Sequence, residues 1–255
     1  MITIDINADV GESFGAFSVG EDQELFKVIT SANIACGFHA GDFSVMNRTV
    51  KEAKKNNLSI GAHPGFPDLQ GFGRRNMIMS PEEIYEMVIY QVGALKAFCQ
   101  LHHVRLNHVK PHGALYNMAA KDSSIAKAVA QATFDMEPDL ILYGLCNSEL
   151  IDAGKMIGLQ TAQEAFADRL YDEDGQLVNR TEPNAILTTD EDIVTQVLRI
   201  VKDRQVKTKS GDSIRIHANT LCFHGDGKNV SAVVRKVRKV LEENNVRIAP
   251  LELGI

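Results

Sequence analysis

Along the chain, short β-branched apolar runs alternate with longer stretches whose apolar residues recur at helical spacing. The runs predict strands over residues 3–8, 33–38, 58–62, 105–109, 140–144, 159–166, 185–187 and 214–223. Helical patterns fall between and after them, near 21–30, 43–56, 81–102, 123–134, 147–157, 190–204 and 229–244. The best marked of these begins at Ser80-Pro81-Glu82-Glu83, where Ser80 can cap, Pro81 suits the first helical position and Glu83 completes a capping box. Ile84, Met87, Val88, Val92, Leu95, Phe98 and Cys99 then form one inward stripe. Asp122 and Thr189 are expected to cap later helices. Such βαβα alternation predicts an α/β fold with a mainly parallel sheet and right-handed crossovers.

The number of repeats in 255 residues fits a closed barrel better than an open sheet. Residues 185–187 are the weakest strand, being short and following a polar loop. The expectation is therefore a variant (β/α)7 TIM-like barrel, one domain over residues 1–255, rather than a regular eight-stranded barrel.

Strands covered on both faces normally read as continuous apolar runs. These do not. In the first, Ile4, Ile6 and Ala8 share one face, and Asp5, Asn7 and Asp9 the other. In the second, Ile34, Cys36 and Phe38 alternate with Asn33 and His39. The third sets Ile60 against His63, the fourth aligns His108, Lys110 and His112, and the last aligns Cys222 and His224. Turning the apolar faces outward to the helices places the polar faces inside the barrel. Asp9, His39, His63, His112 and His224 then fall at or just past the C-terminal strand ends, each followed within two residues by glycine. That rim is where barrels build active sites. His102 and His103 end a helix, where the dipole alone explains a cation. His217 reads as strand packing, and His108 is ambiguous.

Composition narrows the class without naming a chemistry. Hydrophobic residues make up 44% and charged residues 24%, and 27 Lys+Arg face 33 Asp+Glu for a net charge of −6, which argues against a nucleic-acid binder. No apolar run approaches the ~18 residues of a membrane span. The first residues enter a strand pattern at once, so a signal peptide is not expected and the location expected is cytoplasmic. Cys36, Cys99, Cys146 and Cys222 lie far apart among apolar or small residues and read as buried free thiols.

Imidazoles and carboxylates at such a rim can ligate a divalent metal, with Asp9, His39 and His63 as a mixed oxygen and nitrogen set, or they can shuttle protons near neutral pH. Two long connections, 63–79 and 164–184, support a pocket. Arg74 and Arg75 could bind a carboxylate or phosphate there, or form a solvated basic turn. There is no P-loop or dinucleotide fingerprint. The turn His224-Gly225-Asp226-Gly227-Lys228-Asn229 precedes a helix and could hold a phosphate, with Lys110 facing the same cavity; a plain glycine-rich turn fits equally well.

Six blocks also resemble the LamB/YcsF family, in order from about residue 2 to 250. They are Asp5-Ile6-Asn7-Ala8-Asp9-Val10-Gly11-Glu12, the run from Ala32 through Asn33, Cys36, His39 and Gly41 to Asp42, Gly61-Ala62-His63-Pro64-Gly65-Phe66, Val109-Lys110-Pro111-His112-Gly113-Ala114-Leu115-Tyr116, Glu164-Ala165-Phe166-Ala167-Asp168-Arg169, and His224-Gly225-Asp226. Phe223 stands where the family pattern has a smaller valine. The resemblance implies a seven-stranded barrel of the glycoside hydrolase/deacetylase type. It also implies ATP-dependent opening of the lactam of 5-oxoproline to glutamate, carried out with two further subunits, B and C. In that chemistry Lys110 and the turn Gly225, Asp226, Gly227 and Lys228 would contact phosphate, and Arg169 would hold the substrate carboxylate or phosphate. Asp9, His39, His63, His112 and His224 would supply base or metal functions, with Glu12, Asp42, Glu164 and Asp226 orienting them. Two other readings stay open: a stand-alone metal-dependent amidase or deacetylase, and a non-catalytic scaffold subunit.

Overall fold

Alternating faces in the strands produce a closed parallel barrel in the computed structural model, which describes residues 1–223 and 229–253. The strands are β1 (Ile2–Val10), β2 (Ser31–Ala35), β3 (Ser59–His63), β4 (Leu106–Val109), β5 (Ile141–Leu145), β6 (Gln160–Phe166), β7 (Gln205–Lys207), β8 (Ser213–Arg215), β9 (Thr220–Phe223) and β10 (Val246–Ile248). The helices are α1 (Asp22–Leu25), α2 (Phe43–Lys55), α3 (Pro81–Leu101), α4 (Gly113–Ala119), α5 (Ser123–Met136), α6 (Glu149–Ile157), α7 (Asp190–Leu198) and α8 (Val230–Glu243). Strands β1 to β6 follow one another around the barrel, and β9 closes it between β6 and β1. This is the seven-stranded α/β barrel that the alternation predicts. The short β10 pairs with the first residues of β1.

The predicted helix starts rest on the expected groups. Ser80 and Glu83 form a reciprocal capping box at α3, while Asp122 and Thr189 cap α5 and α7. Asp42 caps α2 through the amides of Ser44 and Val45 and also accepts from Gly15 N, tying the loop after β1 to the start of that helix.

Four expectations differ from the structure. Residues 185–187 form no barrel strand; Ile186 makes a single antiparallel bridge with Arg169, so this segment folds back over the chain leaving β6. Residues 214–223 divide between β8, which makes a hairpin with β7, and the barrel strand β9. His217 lies exposed in the connection between them, not packed in a strand. The helical pattern over 190–204 ends in a π-helical turn at Arg199–Asp203.

The barrel interior is polar from base to rim. Near the base, the Asp5 carboxylate accepts from Thr30, Ser31, Thr220 and Tyr143 at 2.5–3.2 Å. Four donors are what a carboxylate needs to be buried at tolerable cost. One layer up, Asn7 donates to Glu164 and Thr220, and Asn33 donates to Asn7. His108 lies flat across this layer, stacked on Tyr143 at 4.1 Å. It fits only because position 61 is glycine; a Cβ there would stand 2.0 Å from His108 Nε2. Leu251 and Leu253 pack against Ile141, Tyr143 and Ala162 as a separate apolar cluster. The outward faces, including Ile4, Ile6 and Ala8, join the main core. All four cysteines are buried free thiols. Among the described residues, no helix is long and apolar enough to cross a membrane.

Candidate active site and metal-ligand cluster

Because side chains alternate along a strand, the polar face of β1 delivers Asp9 to the rim directly above Asn7 and Asp5. The same alternation on β4 brings Lys110 up from His108. The Lys110 ammonium is buried against Asp9 Oδ1 at 2.9 Å, Glu164 Oε1 at 3.2 Å and Cys222 Sγ at 3.0 Å. Burial works against its charge, but Asp9, then Cys222 and Glu164, more than offset that and hold its pKa well above the ordinary lysine value. Lys110 is thus a fixed cation in the floor of the site. Asn33 donates to the same Asp9 oxygen, so that carboxylate is held from two sides.

Beside this floor the other rim residues converge. His63, at the end of β3, sets Nε2 3.2 Å from Asp9 Oδ2 and 2.9 Å from His112 Nδ1. His39, on the loop after β2, stacks in parallel on His112 with ring centroids 3.7 Å apart. Glu12 Oε1 lies 3.5 Å from His39 Nε2 and 3.8 Å from His112 Nδ1. One donor atom from each of Glu12, His39, His63 and His112 falls within 4.8 Å of the others, so this buried set could hold a divalent metal ion. Burial, then the neighbouring imidazoles, pushes the His112 pKa well below its usual range; burial and His63 do the same to His39. Both are therefore neutral, as metal ligands must be.

The long connection 63–79 presses directly onto these rings. The Phe72 carbonyl accepts from His112 Nε2 at 2.8 Å, and the Phe72 ring meets both His39 and His112 edge-on. Close packing here depends on glycine. A Cβ on Gly73 would lie 2.6 Å from His39 Cβ, and one on Gly113 would lie 2.5 Å from the Gly73 carbonyl. The two arginines of this loop separate in role: Arg74 lines the cavity, while Arg75 pins Asp68 within the loop.

Above the floor opens a cavity of about 590 Å³ that Asp9, His63, Lys110 and His112 line from below. Tyr116 and Phe166 give it an aromatic wall, and Arg169, Arg180 and Arg74 give it a basic one. Arg169 is buried, and its guanidinium donates to the carbonyls of Val178 and Ala185. Burial, then the nearby Arg180, pulls its pKa down to about 10, which leaves it charged at neutral pH. A buried guanidinium with arginines for neighbours favours an anion in the cavity. Tyr116 stays a neutral phenol because burial and the adjacent Glu164 push its pKa well up.

Of the rim residues singled out from sequence, Asp9, Glu12, His39, His63, Lys110, His112, Glu164 and Arg169 meet at this one end of the barrel. His224, Gly225, Asp226, Gly227 and Lys228 lie outside the described residues. Sequence reasoning missed Tyr116, Phe166 and Arg180 as lining groups, and the Phe72 carbonyl altogether. Cys222 carried a signal, since it shares the polar face of its strand with His224.

Known proteins share this sequence and fold. The LamB/YcsF family model matches residues 4–254. A relative from Staphylococcus aureus (strain bovine RF122 / ET3-1), named as the A subunit of 5-oxoprolinase, is 52% identical over 248 residues, covering 97% of this chain and 99% of its own. The crystal structure of a lactam utilization protein from Thermus thermophilus superposes with a TM-score of 0.92 at 42% identity, covering 98% of this chain and all of that one. The catalytic domain of a peptidoglycan N-acetylglucosamine deacetylase from Eubacterium rectale ATCC 33656 shares only the fold, with a TM-score of 0.50 at 10% identity over 98% of this chain and 88% of its own. By match over nearly its whole length, the chain belongs to the LamB/YcsF family.

Proposed function

We propose that this chain is the barrel subunit of an ATP-dependent 5-oxoprolinase, opening the lactam of 5-oxo-L-proline to L-glutamate together with subunits B and C. The observation that carries this reading is the pairing of a buried Asp9–Lys110–Glu164 floor with an arginine-walled cavity, in a chain 52% identical to a protein named as the A subunit of 5-oxoprolinase.

A lactam carbonyl is a poor electrophile, and opening the ring needs an energetic coupling. If its oxygen attacks the γ-phosphorus of ATP, ADP leaves and the carbon becomes electrophilic. Water then adds to that carbon, the ring C–N bond breaks and the nitrogen takes a proton, giving γ-glutamyl phosphate. A second water releases phosphate and glutamate. Arg169, which lines the cavity, binds the substrate carboxylate. Asp9 accepts the proton of the attacking water, and Lys110 stabilises the negative charge that develops on oxygen. Glu164 keeps Lys110 charged and in place, and Tyr116 and Phe166 cover the ring carbons. Glu12, His39, His63 and His112 would hold a divalent ion, which when bound supplies a Lewis acid beside Asp9. The segment Gly225–Lys228 is the candidate contact for phosphate on this chain.

The test is a turnover assay with 5-oxoproline and ATP, run on the chain alone and then with its two partners. Glutamate and ADP formed in equal amounts only by the full set supports the proposal. The metal-ligand cluster also suits a second reading, metal-dependent amide hydrolysis by this chain alone. Hydrolysis without ADP, lost on chelation and restored by added metal, would establish that reading instead.

A further inference from the structure

We propose that Glu12, His39, His63 and His112 bind a first-row transition-metal dication of the zinc class, and that two backbone carbonyls build this preference by fixing the histidine tautomers. His63 Nδ1 lies 2.7 Å from the Lys110 carbonyl, and His112 Nε2 lies 2.8 Å from the Phe72 carbonyl. A carbonyl can only accept, so each of those nitrogens carries its ring's proton. The other ring nitrogens, His63 Nε2 and His112 Nδ1, are thereby turned towards each other at 2.9 Å. Carboxylate oxygens of Asp9 and Glu12 stand 3.2 Å from His63 Nε2 and 3.8 Å from His112 Nδ1, so nitrogen and oxygen donors converge on one place. A dication placed between these donors would engage all of them at once.

His39 supplies an independent observation. It is 1% exposed, and among the described residues neither of its ring nitrogens has a hydrogen-bond partner. Leaving a buried imidazole unpaired is costly unless something absent from the chain itself engages it. Its Nε2 points at the same cluster, 3.5 Å from Glu12.

The donor chemistry decides the class of ion. Three imidazoles and one carboxylate suit zinc, cobalt, nickel or ferrous iron; magnesium and calcium take mainly oxygen. Any magnesium accompanying a nucleotide therefore belongs elsewhere. Asp9, whose other oxygen is committed to Lys110 and Asn33, borders this site and is not counted among its ligands.

The loop over the cluster is the supporting shell. Phe72 adopts φ +53°, a left-handed conformation that a bulky residue rarely takes. The turn is held by Gly73 N on Asp68 O and by Arg75 on the Asp68 carboxylate. Strained backbone held this firmly is a feature of functional sites. Here its product is the carbonyl that orients His112, and such outer contacts tune metal affinity.

Calorimetric titration of the chelator-stripped full chain with zinc, cobalt and magnesium salts, without substrate or ATP, tests this directly. The expected result is one zinc or cobalt ion per chain, bound at least about 100-fold tighter than magnesium. Ligand-field absorption of the cobalt form should indicate low-symmetry nitrogen and oxygen coordination. His39→Gln and His63→Gln should each weaken zinc by about 100-fold or more. Gly73→Ala, which would displace the Phe72 carbonyl, should weaken it by roughly 10- to 100-fold. Circular dichroism melts of the metal-free variants identify any that fail to fold, and the unsubstituted chain keeps the test decisive in that case. No zinc or cobalt binding, equal affinity for magnesium, or zinc binding indifferent to His39→Gln and His63→Gln in folded protein would overturn the proposal. None of these outcomes bears on whether the chain opens a lactam.

Discussion

Lys110 Nζ lies 2.9 Å from Asp9 Oδ1, joining the chain just past β4 to the end of β1 across the inside of the barrel. Both groups are buried, and Glu164 completes the triad. Taking these charges out of water is unfavourable on its own, and each is tolerated only because the others are present. The triad is therefore better explained as a preorganised charge in the floor of a site than as a source of stability.

Removing the cation alone should expose that cost. Lys110→Met leaves Asp9 and Glu164 facing each other without their counter-charge, and should destabilise the fold by about 3–5 kcal/mol. Urea unfolding at neutral pH checks this. A loss below about 1 kcal/mol would mean that the carboxylates reach water or each other by rearranging.

His108 predicts a pH dependence whose sign follows from its depressed pKa. Burial, then Lys110 and His63, holds it down to about 3 in the folded chain, while the unfolded chain titrates near 6.5. As pH falls below about 6.5 the unfolded state binds a proton that the folded state refuses, so stability declines by about 1.4 kcal/mol per pH unit for this group. Above pH 6.5 both states are neutral and the contribution is flat. Stability measured from pH 7 to 5 should show a shallower slope in His108→Gln than in the parent chain. Identical slopes would mean that His108 is not buried neutral.

The polar interior was legible because β1 alternates without a break: Asp5, Asn7 and Asp9 against Ile4, Ile6 and Ala8. One inward face then implied the others, and with them Lys110 just past β4 and the rim histidines. What the alternation could not show was the grouping of residues far apart in the chain; His63 and His112 are 49 positions apart. Helix α4 escaped notice because its seven residues follow directly on His112 and offer no side-chain cap. Residues 185–187 resembled a strand because Ala185-Ile186-Leu187 is apolar, yet the segment spends its hydrogen bonds on Asp168 and Leu170 beside the cavity. The Phe72 carbonyl had no signal at all, since a backbone acceptor leaves no mark on residue identity.

Gly61 and His108 form a steric pair that can be tested by exchange. Gly61→Ala should cost about 1–3 kcal/mol or more, since its Cβ would stand 2.0 Å from His108 Nε2. Adding His108→Ala to that variant should recover part of the loss. Thermal melts of the two single variants and the double variant measure the coupling. Strictly additive losses would contradict direct contact.

Arg169 should act through binding more than through rate. Arg169→Lys keeps a cation but loses the planar fork, and should raise KM for 5-oxoproline by roughly 10- to 100-fold with a smaller change in kcat, consistent with about 1.5–3 kcal/mol for a charged hydrogen bond. Steady-state kinetics in the assembled enzyme separate the two parameters. An unchanged KM would remove Arg169 from the substrate's carboxylate.

The most direct test of the account is 5-oxoproline-dependent ADP and glutamate release by the complex of this chain with its two partner subunits, comparing the parent chain with Asp9→Asn. Asn keeps the shape beside Lys110 but cannot accept a proton from water. The account predicts equal amounts of ADP and glutamate from the parent complex and a fall of at least about 100-fold with Asp9→Asn in a complex that still assembles. Near-parental turnover by the Asp9→Asn complex would contradict it.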